Sequence, residues 1–231
     1  SPAGCRKYLI EEIKKAGAHS PDVILLPSDI LLPPSAQSLR RQGFMLDLCR
    51  QELSHLAEDL RELPSLLFVG LPVSLHGVTV SAMAALRQGE LLGFVLPPSV
   101  PEGPLPKGFL PGCDAGEALE YGSLARDCDC LLLPCYEPAR VGSADRAEQA
   151  LNVLSRELGC AAVLCCGAGS DSSHPVCYRG FAVIAEAGET VSVQAEFGQS
   201  ASLCYDIDLD IVRRFRDTLP AALAPAAYRF P

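Results

Sequence analysis

The chain has 231 residues, of which 48% are hydrophobic and 20% are charged, so it is long enough for one medium-sized domain, or two small ones, with a substantial core. Its 19 basic and 28 acidic residues leave a net charge of −9. That balance excludes a general affinity for nucleic acids or anionic membranes, because both require clustered Lys and Arg. No stretch approaches the roughly 20 apolar residues that cross a bilayer, and residues 1–4 lack the pattern of a signal peptide. We therefore expect a cytoplasmic protein that binds neither nucleic acid nor membrane.

Eleven cysteines are the unusual feature of the composition. In a small secreted chain they would indicate disulfides, but this chain is larger, the number is odd, and no Cys-x-x-Cys occurs. Most of the cysteines lie within or beside apolar runs, as in 128–133 and 163–166. We therefore predict reduced thiols that pack as small hydrophobic residues, and we expect neither a metal site nor a cofactor.

Helix-like and strand-like patterns alternate along the chain. Apolar positions at three- and four-residue spacing predict amphipathic helices, and short apolar runs bounded by Pro, Gly or polar residues predict buried strands. In the first half of the chain the predicted elements are a helix carrying Leu9, Ile13 and Ala16, a strand at 22–26, one long helix over 39–63, a strand at 66–70 and a hairpin at 78–96. In the second half they are a strand at 130–133, a helix at 147–158 with Ser143 as its N-cap, a strand at 161–166, a hairpin at 180–194, a strand at 203–208 and a helix at 211–218. This order predicts an α/β fold with mixed sheets.

Several segments match the motifs of a known family in order and spacing. They are residues 22–27, 67–73, 81–93, 179–188 and 204–210. On these segments the chain resembles the nitrilase (carbon–nitrogen hydrolase) superfamily, and its closest likeness is the N-terminal glutaminase domain of glutamine-dependent NAD synthetase. The Ser-Gly-Gly-x-Asp-Ser motif of the ligase half is absent. The resemblance therefore implies a single nitrilase-like domain over residues 1–231 and no ligase domain.

The resemblance implies a four-layer αββα sandwich, here without the family's first strand, and a catalytic triad of Glu, Lys and Cys. In that chemistry the Cys thiolate attacks an amide carbonyl, the Glu acts as general base, and the Lys stabilises the oxyanion. Matching the motifs residue by residue puts Ser28 at the position of the Glu and Pro97 or Pro98 at the position of the Lys. Neither side chain can perform the role of the residue that it replaces.

Cys113, which is followed by an acidic residue, is the candidate nucleophile. The segment before it, 107–112, matches either the family's nucleophile strand or an earlier loop, because Pro and Gly disfavour a central strand. If the segment is that loop, the nucleophile strand is missing. The alternative role for Cys113 is an ordinary loop cysteine, since nothing nearby in the sequence lowers its pKa.

The segment 169–175 resembles the family loop that helps to bind glutamine. Ser172 and Ser173 in this loop, together with Tyr136, are the candidate substrate-binding residues. The alternative interpretation of the loop is a polar turn without a ligand. Three acidic residues alternate along the predicted last strand, and this pattern favours a solvent-facing strand over a divalent-cation site. They are Asp206, Asp208 and Asp210.

Two functional hypotheses follow from the resemblance. The first, which the loss of two triad members favours, is a glutaminase-like domain that is catalytically inactive and serves binding or assembly. Its expected partners are a second copy of the chain or another subunit, with a small amide such as glutamine as ligand. The alternative is a divergent carbon–nitrogen hydrolase that releases ammonia with Cys113 as nucleophile.

Overall fold

The computed structural model describes residues 1–33, 36–97, 109, 118, 128–170, 175–194 and 202–219. Within them, the helices are α1 (Pro2–Gly17), α2 (Gln37–Arg40), α3 (Gly43–Asp59), α4 (Ser143–Leu158) and α5 (Leu209–Thr218). The strands are β1 (Val23–Leu25), β2 (Leu66–Leu75), β3 (Val78–Arg87), β4 (Glu90–Val95), β5 (Cys130–Cys135), β6 (Ala161–Ser170), β7 (Cys177–Glu186) and β8 (Glu189–Gln194). No helix among these residues is long and apolar enough to span a membrane.

The strands form two four-stranded mixed sheets built on the same plan. The first has the order β1-β2-β3-β4 and the second the order β5-β6-β7-β8. In each sheet the first two strands are parallel and the others add as antiparallel neighbours. A parallel pair needs a crossover, which α2 and α3 supply in the first sheet and α4 in the second.

The two predicted hairpins are confirmed, and their turns have the same backbone geometry. Gln88 and Gly89 have φ values of 48° and 83°, and Ala187 and Gly188 have values of 50° and 83°. Positive φ at both central residues makes a turn whose twist matches that of the flanking strands. Glycine at the second position therefore sets the strand pairing in both hairpins.

Three apolar layers hold the sheets and helices together. Helices α1 and α3 cover the outer face of the first sheet through residues such as Ile13 and Leu56, and α4 covers the outer face of the second sheet through Leu151 and Leu154. Between the sheets, Phe68, Met83 and Val95 of the first sheet meet Leu132 of the second sheet and Phe109, which forms an isolated bridge to Leu132. The layers therefore follow the order helix, sheet, sheet, helix, and the predicted αββα sandwich is confirmed.

The prediction of one long helix over 39–63 is wrong, because the helix is interrupted between α2 and α3. Gln42 is extended, with φ −97° and ψ 120°, and α3 starts at Gly43. Glycine is a poor residue for continuing a helix. In addition, the end of α2 is tied to β3, where the Thr79 hydroxyl donates to the Arg40 carbonyl at 3.4 Å. Tertiary contacts to Arg40 thus outweigh the continuous helical pattern.

Two predictions of local structure near helix starts are also wrong. Ser143 is the first residue of α4 rather than its N-cap, since Gly142 caps the helix with a φ of 71° that glycine adopts without strain.

The segment 203–208 has no ladder partner among the described strands and is not itself a strand. Instead, the Asp208 carboxylate accepts from the backbone N–H groups of Asp210 and Ile211 at the start of α5. The alternating acidic residues therefore lead into a helix cap, and the described residues contain no group of three potential metal ligands.

The ten cysteines among the described residues are free thiols. Four of them are buried, as the prediction of core residues requires, namely Cys49, Cys135, Cys160 and Cys166. Four more are partly buried, and two, Cys177 and Cys204, are exposed and are exceptions to the predicted core packing. Cys177 opens β7 at a sheet end and Cys204 precedes α5, so neither lies between two layers.

A buried serine joins α4 to the second sheet. The Ser155 hydroxyl donates to the Cys160 carbonyl at 2.7 Å and accepts from the Gly188 N–H at 3.1 Å. Ser155→Ala should lower the free energy of unfolding by about 1–3 kcal/mol, because two buried backbone groups lose their partner. Ser54→Ala is the matched control, since that exposed hydroxyl bonds only within its own helix, and its effect should stay within about 0.5 kcal/mol. Equal effects of the two substitutions in urea titrations would contradict this account.

Candidate functional site

The loop that follows β1 carries the first residues of the candidate site. Ser28 and Asp29 come directly after Pro27 and are both buried, with 3% of each residue exposed. Asp29 has a φ of 55°, which is unusual for a non-glycine residue. The loop lies against Gly70 of β2, whose carbonyl accepts from the Leu31 N–H at 3.1 Å. The sharp turn at Asp29 directs its carboxylate toward β3.

Arg40 and Ser81 hold the Asp29 carboxylate. The Arg40 Nη1 atom lies 3.1 Å from Asp29 Oδ1, and the Ser81 hydroxyl donates to Asp29 Oδ2. Arg40 also donates from Nη2 to Ser81 Oγ at 3.1 Å and from Nη1 to the Leu32 carbonyl at 3.2 Å. The three side chains, from the β1 loop, α2 and β3, form a closed polar cluster that we call the Asp29 cluster.

Burial and the cationic neighbour act on the Asp29 carboxyl in opposite directions. Loss of water around the group raises its pKa above the ordinary value, and the Arg40 charge and the Ser81 hydrogen bond limit the rise. Both carboxylate oxygens nevertheless face a partner within the cluster, since Oδ1 lies beside the Arg40 guanidinium and Oδ2 accepts from the Ser81 hydroxyl. The cluster therefore has the geometry of an ion pair between Asp29 and Arg40.

Tyr136 brings the second sheet to the same region. It follows β5, and its ring lies edge-to-face on Tyr178 with the ring centroids 5.2 Å apart. Its hydroxyl is buried and has no hydrogen-bond partner among the described residues. Burial, with a further contribution from the Asp29 charge, raises the pKa of this hydroxyl. A buried phenol without a partner is an unused donor that could bind the carbonyl oxygen of an amide.

Gly167 makes room for the Tyr136 ring. A Cβ atom on Gly167 would lie 2.2 Å from the Tyr136 Cζ atom, so any larger residue at that point of β6 would displace the ring. The loop after β1 and the loop after β5 both leave the carboxyl ends of parallel strands. Such strand ends are where α/β sheets place their binding residues.

Only part of the predicted site lies within the described residues. Ser28 is buried beside Asp29, Tyr136 has the unpartnered hydroxyl, and Pro97 is half-buried just after β4. Cys113, Ser172 and Ser173 lie outside the described residues, so their placement stays a prediction.

Sequence reasoning missed Arg40 and Ser81. Arg40 falls in a stretch that looks like one exposed amphipathic helix, and Ser81 looks like an ordinary position in a hairpin strand. Neither has a local signal, since Arg40 and Ser81 are 41 residues apart and Ser81 and Asp29 are 52 apart. The sequence shows Asp29 next to Ser28, but it carries no signal of the residues that pair with Asp29.

Comparison of the fold with solved structures identifies its class. A carbon–nitrogen hydrolase superfamily protein from Xanthomonas campestris, solved with an arsenic adduct in its active site, matches 100% of this chain and 94% of its own with a TM-score of 0.74 and 14% identity. A mutant of the amidase from Nesterenkonia sp. AN1, a nitrilase-superfamily enzyme, matches 86% of this chain and 83% of its own with a TM-score of 0.69 and 18% identity.

Glutamine-dependent NAD synthetase is also among the structural matches. The enzyme from Acinetobacter baumannii matches 87% of this chain with a TM-score of 0.68 and 17% identity, and the chain spans 42% of that enzyme's length. No protein-family model and no curated protein sequence matches the chain. The fold is that of the nitrilase superfamily, and the resemblance drawn from the sequence motifs is confirmed at that level.

Proposed function

We propose that this chain is a nitrilase-fold domain that has lost amide hydrolysis and serves a binding or assembly role. One observation carries the proposal: where the resemblance requires a free Glu, the chain has buried Ser28, and the adjacent Asp29 is paired with Arg40. Pro97 stands at the position of the Lys, so no cation replaces it there. Loss of either group removes orders of magnitude from the rate of an acyl-transfer enzyme.

Two features support a binding role. The Tyr136 hydroxyl has no hydrogen-bond partner among the described residues, and we propose that it binds a small amide such as glutamine, with Ser172 and Ser173 as further ligand contacts. The edge strand β4 exposes apolar side chains, with 48% of Leu91, 58% of Leu92 and 44% of Phe94 accessible. An exposed apolar edge strand favours pairing with another chain, so we propose assembly as a homo-oligomer or with a partner subunit. We also propose a cytoplasmic location, because the described cysteines of the chain are free thiols and the cytoplasm keeps thiols reduced.

The test of inactivity is ammonia release from glutamine, asparagine and simple amides. The purified protein should release no more ammonia than the Cys113→Ala variant. A nitrilase-superfamily amidase assayed alongside shows that the assay detects turnover. Turnover that disappears in Cys113→Ala would refute the inactive role. Light scattering that finds only a monomer over a wide concentration range would refute self-assembly.

One observation favours the alternative, a divergent carbon–nitrogen hydrolase with Cys113 as nucleophile. Phe109 forms a parallel bridge to Leu132 of β5, and Ala118 is buried in the core beneath α4. Cys113 lies between these two residues in the sequence, outside the part of the chain that the structure describes. In this alternative, ammonia release is measurable and Cys113→Ala abolishes it.

A further inference from the structure

Two cysteines are in contact at the carboxyl ends of β5 and β6. The Sγ atoms of Cys135 and Cys166 lie 2.9 Å apart and share a hydrogen bond in which either thiol can be the donor. The two residues are the last aligned pair of the parallel ladder. Neighbouring strands lie about 4.8 Å apart, which is within the range of Cα separations that a disulfide spans. The backbone therefore holds this pair at a separation that a disulfide can bridge.

Both thiols point to the same face of the second sheet. They belong to the apolar layer beneath α4, together with Ala144 and Ala147 of that helix. Only 2% of Cys135 and 6% of Cys166 is exposed, so the surrounding side chains restrict the rotamers of both. An S–S bond is about 2.0 Å long, so the two sulfur atoms need to approach by only about 1 Å to form one.

The preceding residue of β6 shows that this contact is specific. Cys165 is adjacent to Cys166 in the sequence, and the alternation of a strand directs its side chain to the opposite face of the sheet. There the Cys165 thiol donates to the carbonyl of Leu25 in the first sheet at 3.5 Å. Cys165 therefore cannot compete for Cys135 without passing through the sheet.

The two thiols of the pair have different roles in ionisation. The hydrogen bond with Cys135, together with burial, raises the pKa of Cys166 well above its ordinary value. Cys166 therefore keeps its proton when Cys135 ionises, and its S–H group can donate to the Cys135 thiolate. This arrangement makes Cys135 the thiol that reacts first and Cys166 the thiol that completes the bond.

We propose that Cys135 and Cys166 are a modification site, a dithiol that a hydroperoxide oxidises to a disulfide. The Cys135 thiolate attacks an oxygen of the hydroperoxide, so that an S–O bond forms, the O–O bond breaks, and the leaving oxygen departs as alcohol or water after taking a proton. The Cys166 sulfur then attacks the sulfur of the resulting sulfenic acid, the S–S bond forms, and the hydroxyl leaves as water with the Cys166 proton. The two thiols lose two electrons, and the hydroperoxide gains them.

The position of the pair at the end of the ladder gives a small oxidant a short path to it. Just beyond Cys166, residues 168–170 of β6 are exposed. The disulfide would join the two strand ends that lead into Tyr136 and Gly167, which lie next to the cysteines in the sequence. Its formation requires neither amide hydrolysis nor a bound ligand, so the test is independent of the proposed function.

The test treats the full chain with hydrogen peroxide, blocks the remaining thiols under denaturing conditions, and maps the cross-linked peptides by mass spectrometry without reduction. A Cys135–Cys166 link should be the main intramolecular product, and dithiothreitol should reverse it. Cys135→Ala and Cys166→Ala should each abolish the link, whereas Cys130→Ala on the same strand should leave it intact. Alanine is the replacement because it adds no unpaired polar group to an apolar core.

Three results would overturn the proposal. The first is that Cys135 and Cys166 stay reduced when the exposed Cys177 and Cys204 are fully oxidised. The second is a main link that joins either buried cysteine to a different one. The third is an equal share of the Cys135–Cys166 link after oxidation of the chain unfolded in urea, where its eleven cysteines pair without the fold. The wild-type link is read directly, so the outcome does not depend on the folding of any variant.

Discussion

Gly70→Ala is expected to destabilise the protein by about 3 kcal/mol or more. A Cβ atom on Gly70 would lie 2.2 Å from the Asp29 nitrogen, 2.4 Å from the Pro27 oxygen and 2.5 Å from the Ser28 carbonyl carbon. All three atoms are backbone, so the clash cannot be relieved by a change of rotamer. The whole loop after β1 would have to move, and the Asp29 cluster would move with it.

Gly43→Ala is the matched control for this prediction. A Cβ atom there meets nothing within 4 Å, and Gly43 begins α3, where alanine should be neutral or stabilise the helix by about 0.5–1 kcal/mol. The chain contains no Trp, so urea unfolding is best followed by far-ultraviolet circular dichroism. An unfolding free energy for Gly70→Ala within about 1 kcal/mol of the wild type would show that the loop is not packed on β2 as described.

Arg40→Met is expected to cost about 3 kcal/mol, because it leaves the buried Asp29 carboxylate without its cation. The Arg40 side chain is itself 15% exposed and that of Asp29 is 4% exposed, so water screens the pair only weakly. Arg50→Met is the control, since Arg50 pairs with Asp47 on the surface of α3 with both side chains 64% exposed. Its effect should remain below about 0.5–1 kcal/mol.

The deficit of Arg40→Met should depend on pH in a defined direction. Burial already raises the pKa of Asp29 above its ordinary value of 3.8, and removal of Arg40 should raise it further. A folded state whose carboxyl has the higher pKa binds a proton more readily than the unfolded chain, so it gains stability as the pH falls through that pKa. The loss of stability in Arg40→Met should therefore be largest at neutral pH. It should shrink as the pH falls toward 3.8, the ordinary pKa of Asp29 that applies in the unfolded chain.

A second variant separates the charge from the shape of the cluster. Asn at position 29 can still accept the Ser81 hydrogen bond and cannot ionise, so adding Asp29→Asn to Arg40→Met should recover part of the lost stability at neutral pH. The double variant should also lose the pH dependence of the deficit. If the deficit of Arg40→Met is the same at about pH 5 and about pH 8, the Asp29 carboxylate is not the source of the instability.

The fold could be read largely from local features. The strand runs at 22–26 and 130–133 and the glycines of both hairpin turns carry their information in adjacent residues. Helix and strand periodicity and turn chemistry act over a few positions, so a single sequence is sufficient to detect them. The helix break before Gly43 depends in part on the tertiary contact of Thr79 with Arg40, and the segment 203–208 is not a strand because it has no ladder partner among the described strands.

The candidate site, like the fold, could be predicted from the sequence only in part. The sequence alone determined that Ser28 and Pro97 stand at the positions where the resemblance expects Glu and Lys, since those are matters of residue identity. Tertiary structure alone decided that Asp29 is neutralised by Arg40 from α2 and bonded by Ser81 from β3. Such contacts join segments that are distant in the chain, and only packing of the layers specifies them.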